Sequence, residues 1–342
     1  MEKILFVTDV ASDGSFSKVS LEVLAGAAGL SKDLGASLAV GLIGSEVQKA
    51  ADSISGCGAD EFLGVSGPEF SESRYSSDAA ALEAIARQSQ ASIVIGPATL
   101  RLARAFPGVS CRMGGSIDTH ISGTVCEEGT LHVQRWFYRQ RVSATLTRQA
   151  RPWFLLVDSG VFQAVEREAG SARLENVTVE LSEEQKKTRV TGMEAPSAEE
   201  QTIRPDAQLL FVAGAGWTKK QADGQMHLQD AEKQILGFLN NTKASLGSSK
   251  SLVDQSVEGE EVLGFMSHLN QVGQTGSTPR HPKGLATCCH GEEPHVVGWR
   301  FISERRAVNL DAGCGWAQGK ADVLYVGDAF EVMEKVNQLL GE

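Results

Sequence analysis

Residues 91–95 are nearly all apolar, with none of the polar alternation of a half-exposed strand. Such a run reads as a strand buried on both faces, the condition met in a parallel sheet covered by helices. The flanking pattern agrees. Residues 3–10 read as a strand and 17–34 as a helix, with apolar residues at Val19, Leu21, Val23, Leu24 and Ala27 and with Gly35 past its end. A strand over 36–43, a helix over 46–55 and a short strand over 61–65 follow, and Ser76 or Ser77 is expected to cap a helix running to about Gln90. Strand–helix alternation with short links predicts parallel pairing through crossover helices. Beyond Gly96-Pro97-Ala98-Thr99 and a helix begun by residues 101–106, the pattern changes. Segments 118–124, 131–137 and 153–157 read as strands without long helices between them.

The 342 residues suggest two domains at about 150 residues each. Residues 183–206 are polar and charged, with two prolines and little apolar periodicity; they read as the inter-domain link, with one strand near 188–192. The second domain is expected to open with a strand over 207–213, turned by Gly214-Ala215-Gly216. A helix over 230–246, a short strand over 251–254 and a helix over 258–269 come next, and a last helix spans 329–340. Between them run three apolar segments, 285–287, 307–310 and 323–326, each leading into a polar loop. Ligands of open parallel sheets sit where loops leave the carboxyl ends of the strands. Loops carrying Gly, Thr, Asn, Asp and His suit one phosphate- or nucleotide-sized ligand.

Four clusters in order, Gln271-Val272-Gly273-Gln274-Thr275-Gly276, Cys288 through His295, Val308-Asn309-Leu310-Asp311 and Val326-Gly327-Asp328-Ala329-Phe330-Glu331-Val332, resemble the flavin-binding domain of electron transfer flavoprotein α subunits. That family carries Val-Gly-Gln-Thr-Gly, then Gly-Ile-Ser-Gly-Ala-Ile-Gln-His, then Ile-Asn-Lys-Asp, then Val-Gly-Asp-Leu-Phe-Glu-Val. The first and last match closely, the third partly and the second poorly. The amino-terminal half resembles the family more weakly, through Pro97-Ala98-Thr99 and the run Arg135 to Arg141.

The resemblance implies a two-domain α/β chain: an N-terminal α/β nucleotide-binding-like domain over 1–182, a linker over 183–206, and a C-terminal doubly wound parallel-sheet FAD-binding domain over 207–342. It also implies a cofactor, FAD, and residues to hold it. Gln274, Thr275 and Gly276 would lie beside the flavin ring, and His295 near a ring carbonyl. His290 and Gly291 fall in the second loop. Asn309 and Asp328 would hold the adenosine half. Ser249 and Lys250 stand where the family has Ser-Arg, with Lys keeping the charge and losing the planar fork. Other readings stand beside these: a tight turn at 274–276, an ordinary polar His295, a helix cap at Asp328.

The departures fall at the site. Ala213-Gly214-Ala215-Gly216-Trp217 lacks the family arginine, and Glu292 and Glu293 lie where a pyrophosphate would sit, which costs affinity unless a cation intervenes; Arg280, Lys283 and Arg300 are candidates. The implied function is an electron carrier. It would pair with a β subunit, accept electrons from a flavoprotein dehydrogenase and pass them to a quinone oxidoreductase, with no catalytic bond chemistry of its own. A nucleotide-binding or structural subunit with altered or lost FAD binding is the alternative. A nucleotide-dependent enzyme ranks last, because Gly214-x-Gly216 lacks the third glycine of a dinucleotide fingerprint. Trp217, Trp299 and Trp316 near the ligand loops could shield a flavin or bury an interface.

A formal charge of −11 argues against nucleic acid, although Arg101, Arg104 and Arg112, and Arg135, Arg139 and Arg141, form local basic clusters that could attract an anionic partner, the latter a candidate β-subunit contact. Six scattered cysteines suit a reducing cytoplasm, and Cys288-Cys289-His290 lacks a second pair at metal-site spacing, so no metal is expected. No run approaches a membrane span, and residues 3–7 begin a strand at once, so the expected location is the cytoplasm.

Overall fold

The structure, a computed structural model, describes residues 2–138, 142–165, 169–192, 203–204, 207–255, 263–273, 276–287, 302–312 and 321–341. It divides into two compact units, residues 1–193 and 194–342.

The first unit runs β1 (Lys3–Asp9), α1 (Lys18–Leu34), β2 (Ser37–Gly44), α2 (Gln48–Ser53), β3 (Glu61–Ser66), α3 (Tyr75–Ser89), β4 (Ile93–Pro97), α4 (Leu100–Arg112), β5 (Ser116–Glu127), β6 (Thr130–Phe137), β7 (Val142–Leu146), β8 (Trp153–Val157) and β9 (Leu174–Asn176). Among the described residues these strands form one sheet in the order β7-β6-β5-β8-β4-β1-β2-β3-β9. Pairing is parallel from β9 to β5, and antiparallel where β5, β6 and β7 extend it. The central strands are apolar because both faces are covered. Ile4 and Phe6 enter one core with Val23, Leu24 and Ala27 of α1, while Leu5 and Val7 enter the other with Leu82 and Ile85 of α3.

Helix α1 begins and ends where its sequence dictates. The Ser17 hydroxyl accepts from Ser20 N–H at 3.2 Å, and Gly35 turns left-handed at φ 58° to donate to the carbonyls of Lys32 and Ser31. Helix α3 departs from expectation. Neither Ser76 nor Ser77 caps it; it starts at Tyr75, and the Asp78 carboxylate accepts from Arg74 N–H at 3.0 Å. Strands β7 and β9 were not anticipated, and residues 188–192 form no strand.

The basic clusters are largely consumed inside the first unit. Arg101 donates to buried Asp78 at 2.7 Å, Arg104 lies 3.6 Å from the same carboxylate, and Arg112 pairs with Glu83. Burial pushes the Asp78 carboxyl above the usual range despite these arginines. Arg135 and Arg148 both donate to Asp118, at 2.7 and 2.6 Å, and Trp153 adds an indole N–H at 3.0 Å. Burial pushes Asp118 up, but its hydrogen bonds from Arg148, Trp153 and Arg135 outweigh that and hold it below the usual range. Arg139 and Arg141 lie outside the described residues.

The second unit runs β10 (Leu209–Ala213), α5 (Leu228–Thr242), β11 (Ser245–Ser248), α6 (Lys250–Asp254), β12 (Lys283–Thr287), β13 (Glu304–Asn309), β14 (Val323–Val326) and α7 (Ala329–Gly341). Its described strands are all parallel, in the order β11-β10-β12-β13-β14. This is a doubly wound sheet whose order reverses between β10 and β12. Phe211 and Ala213 pack on one face with Ile235 and Phe238 of α5 and Met333 of α7, and Leu210 and Val212 pack on the other.

Three expected elements of the second unit differ in the structure. Residues 251–254 are helical, because the Ser249 hydroxyl caps α6 by accepting from Leu252 N–H at 3.3 Å. The strand beside β10 lies earlier, at Ser245–Ser248, since α5 stops at Lys243, which turns left-handed. The helix expected over 258–269 is also not found in its described part: residues 263–267 are irregular and turn-like, and His268–Asn270 is a short 3-10 turn capped by Ser267.

Candidate functional site

The carboxyl ends of β10 to β14 gather the described candidate residues of the second unit. At the reversal point, Gly214 N–H donates to Thr287 O at 2.8 Å, and a 3-10 turn at Ala215–Thr218 carries Trp217 inward. The indole is fully buried. Its N–H donates to the Thr287 hydroxyl at 2.9 Å, and its ring lies 4.6 Å from that of Phe330 on α7. The Thr287 hydroxyl donates in turn to Val212 O at 3.4 Å. The Trp217 indole thus packs between the end of β12 and α7. In the sequence it stands out only as a tryptophan near the loops.

At the end of β11, buried Ser248 keeps a hydroxyl with no hydrogen-bond partner among the described residues. Ser249 is spent as the α6 cap, and its own N–H donates to Ala213 O at 2.9 Å. Lys250 is half exposed and pairs with Asp254 one turn on, and Asp254 also takes His268 Nε2 at 3.0 Å. The hydrogen bond from Lys250, and then that from His268, hold the Asp254 carboxyl below the usual range. Asp254 and His268 had no sequence signal; an i,i+4 Lys–Asp pair was the one available hint.

The stretch after His268 folds back on itself. Asn270 Nδ2 reaches Leu246 O at 3.3 Å and Val272 N–H reaches Ser248 O at 3.0 Å, so this stretch lies along β11. Ser277 N–H then donates to Gln271 O at 2.8 Å and Gly273 N–H to Ser277 O at 2.9 Å, so residues 276–277 return against 271–273. Gly276 is required there: a Cβ would stand 2.1 Å from Gln271 O. Gln274 and Thr275 lie outside the described residues, as do His290, Gly291 and His295 with the whole second loop including Glu292 and Glu293. Cys288-Cys289-His290 falls there too, and among the described residues no cluster of His, Cys, Asp or Glu has metal-binding geometry.

Asn309 and Asp328 meet across the ends of β13 and β14. Asp328 caps α7, accepting from Phe330 N–H at 2.7 Å. Asn309 is 2 % exposed, and among the described residues its Nδ2 has no hydrogen-bond partner. Its Oδ1 takes a long 3.4 Å contact from Asp311 N–H. Gln221, Asn309, Gly327 and Asp328 line a small cavity of about 10 Å³ there. A larger open groove of about 850 Å³ adjoins it between α5 and α7, and its charged lining is Asp223, Asp230, Lys233, Asp328, Glu331 and Glu334 with His227 beside them. Its five carboxylates outnumber its one lysine, so this groove disfavours a phosphate. Among the described residues, no helix is long and apolar enough to cross a membrane.

The model of the electron transfer flavoprotein domain matches residues 4–182. Over 329 residues the chain is 25% identical to a protein named FixB of Clostridium saccharobutylicum, covering 95% of this chain and 92% of that one. It is 22% identical over 330 residues to the electron transfer flavoprotein subunit alpha of Clostridium acetobutylicum, covering 95% and 93%. A subunit alpha of Thermoanaerobacterium thermosaccharolyticum is likewise 22% identical over 324 residues, covering 94% and 92%.

Proposed function

The chain belongs to the electron transfer flavoprotein family, and from that premise we propose that it is an α-type subunit that carries FAD in its second domain. The observation that carries the cofactor reading is Asn309: a buried amide donor without a partner among the described residues, at the carboxyl edge of a parallel sheet, beside the turn at Gly327-Asp328. An unmatched buried donor is costly, and a ligand hydroxyl or ring nitrogen would satisfy it.

In this reading Asn309 and Asp328 hold the adenosine half. Gln274, Thr275, Gly276 and His295 lie at the ring, His290 and Gly291 in the pyrophosphate loop, and Ser249 and Lys250 at the ring edge. The bound flavin would supply reversible one- and two-electron chemistry. The protein's part is to orient it, exclude water and set local charge. Residues 1–182 would contact a β subunit, 183–206 would link, and 207–342 would bind the cofactor. Electrons would come from a flavoprotein dehydrogenase and leave to a quinone oxidoreductase, in the cytoplasm.

A second reading, a nucleotide-binding or structural subunit with altered or lost FAD binding, is favoured by two observations. Trp217 is buried at the reversal point where the family carries a glycine-rich turn, and Lys250 is already held by Asp254. An absorbance spectrum of the chain co-purified with its β subunit, with chromatography of the released cofactor, separates the readings. Stoichiometric FAD is expected. Colourless protein that stays colourless in added FAD refutes the carrier reading.

A further inference from the structure

Two stretches of the candidate site, the Ser249–Lys250 start of α6 and the returning chain of residues 271–273 and 276–277 (below, the hairpin), are each reached by the bonds of one side chain. Asp254 closes α6. Its Oδ2 accepts from Lys250, and its Oδ1 takes His268 Nε2 at 3.0 Å. His268 opens the 3-10 turn that runs straight into the hairpin. We propose that Asp254 is a positioning residue, whose two oxygens fix the Lys250 ammonium and the hairpin stem in one mutual arrangement around the ligand.

The hairpin's bonds to Leu246 O and Ser248 O secure residues 270–272 to β11, from which α6 departs one residue on. The Asp254 carboxylate adds a side-chain join between the far end of α6 and the His268 turn, so that a shift of that end is passed to the hairpin. Stability is a poor explanation for the contact. The Lys250, Asp254 and His268 side chains are 45%, 32% and 49% exposed, and exposed ion pairs contribute little to folding. A geometric role also accounts for the divided use of the two oxygens, one on each structural element. The same carboxylate partly cancels the charge that Lys250 presents, so it would set the field at the ligand as well as the shape of the site.

The join can be tested without any ligand, and the charge effect rests on the flavin reading above. Hydrogen exchange is followed by mass spectrometry in the full chain with its β subunit, on peptides covering 249–255 and 267–277. Asp254→Asn is expected to speed exchange in both segments by about threefold, the scale of a lost exposed pair. His268→Gln should loosen only 267–277, Lys250→Met only 249–255, and Asp254→Glu should restore both. A change confined to α6 in Asp254→Asn, or none, overturns the proposal. In flavin-loaded protein, the midpoint potential of Asp254→Asn should move positive, because an uncancelled ammonium favours the reduced, anionic ring. An unmoved potential beside loosened segments overturns the positioning role and leaves a purely structural contact. Wild-type protein that takes up no flavin refutes the flavin reading, and the exchange pattern alone then decides the join.

Discussion

Asn309→Ala separates a residue kept for a ligand from one kept for the fold. In the unliganded chain the Nδ2 donor is buried without a partner among the described residues, which costs about 1–3 kcal/mol relative to a satisfied group. Alanine removes that cost. Against it stand the 3.4 Å contact from Asp311 N–H, too long to be worth much, and a small void. The two sides nearly offset, so the unliganded stability should change by less than about 1 kcal/mol in urea unfolding. Binding is different, because wild-type protein gains one hydrogen bond and relieves the unmatched donor, while the variant gains neither. The expected loss is about 2 kcal/mol, roughly thirtyfold in Kd. Titration of cofactor-stripped protein with FAD, read by flavin fluorescence, measures it. A variant destabilised by more than about 2 kcal/mol whose Kd stays within twofold of wild type would refute the reasoning, since Asn309 would then be a structural residue.

Gly276→Ala should open the hairpin stem, because the new Cβ meets Gln271 O at 2.1 Å; faster exchange of the Ser277 amide and reduced flavin content are the readouts. Asp118→Asn strands two arginines in the first unit and should cost about 3 kcal/mol near neutral pH, below the top of the range for buried pairs because Arg148 is 41% exposed. The Asp118 carboxyl titrates below its unfolded value, so its stabilisation is present above that unfolded value and lost as pH falls through the folded one. The gap between wild type and Asp118→Asn should therefore narrow in acid, and a gap that widens would contradict the assignment. Trp217→Phe removes the indole donor to Thr287 and should cost about 1 kcal/mol in urea unfolding of the whole chain.

The architecture was legible wherever burial dictated the residue types. Runs such as 91–95 and 207–213 announce parallel strands, and Ser17 and Gly35 announce both ends of α1. The reading failed where side-chain bonds overrule local pattern. Ser249 looked like a residue ahead of a strand, yet its hydroxyl starts a helix, and α3 takes its first-turn acceptor from Asp78 and not from a serine. β9 is three residues long and pairs with β3 across the unit, which no local window can register. In the site, Asn309 and Asp328 stood out by motif, and the structure brings them together beside Gln221. Asp254 did not stand out, because its significance lies in a contact with His268 fourteen positions away. The arginines misled for the same reason: their carboxylate partners come from other elements, so a basic cluster in sequence is a set of internal ion pairs in space.

The place of β8 in the first sheet has a consequence in time. It lies between β4 and β5 and pairs in parallel with both, yet follows β5, β6 and β7 in the chain. As the chain leaves the ribosome, β5, β6 and β7 can form their antiparallel meander from neighbouring sequence alone. The growing sheet and the meander then stay apart, each with an open edge, until Trp153–Val157 has been made and slots between them. Strand insertion of this non-local kind is slow, and open edges are what nascent chains aggregate through. Chains halted short of Trp153 should therefore be caught by chaperones or lost to aggregation, whereas release past Val157 lets the two halves close.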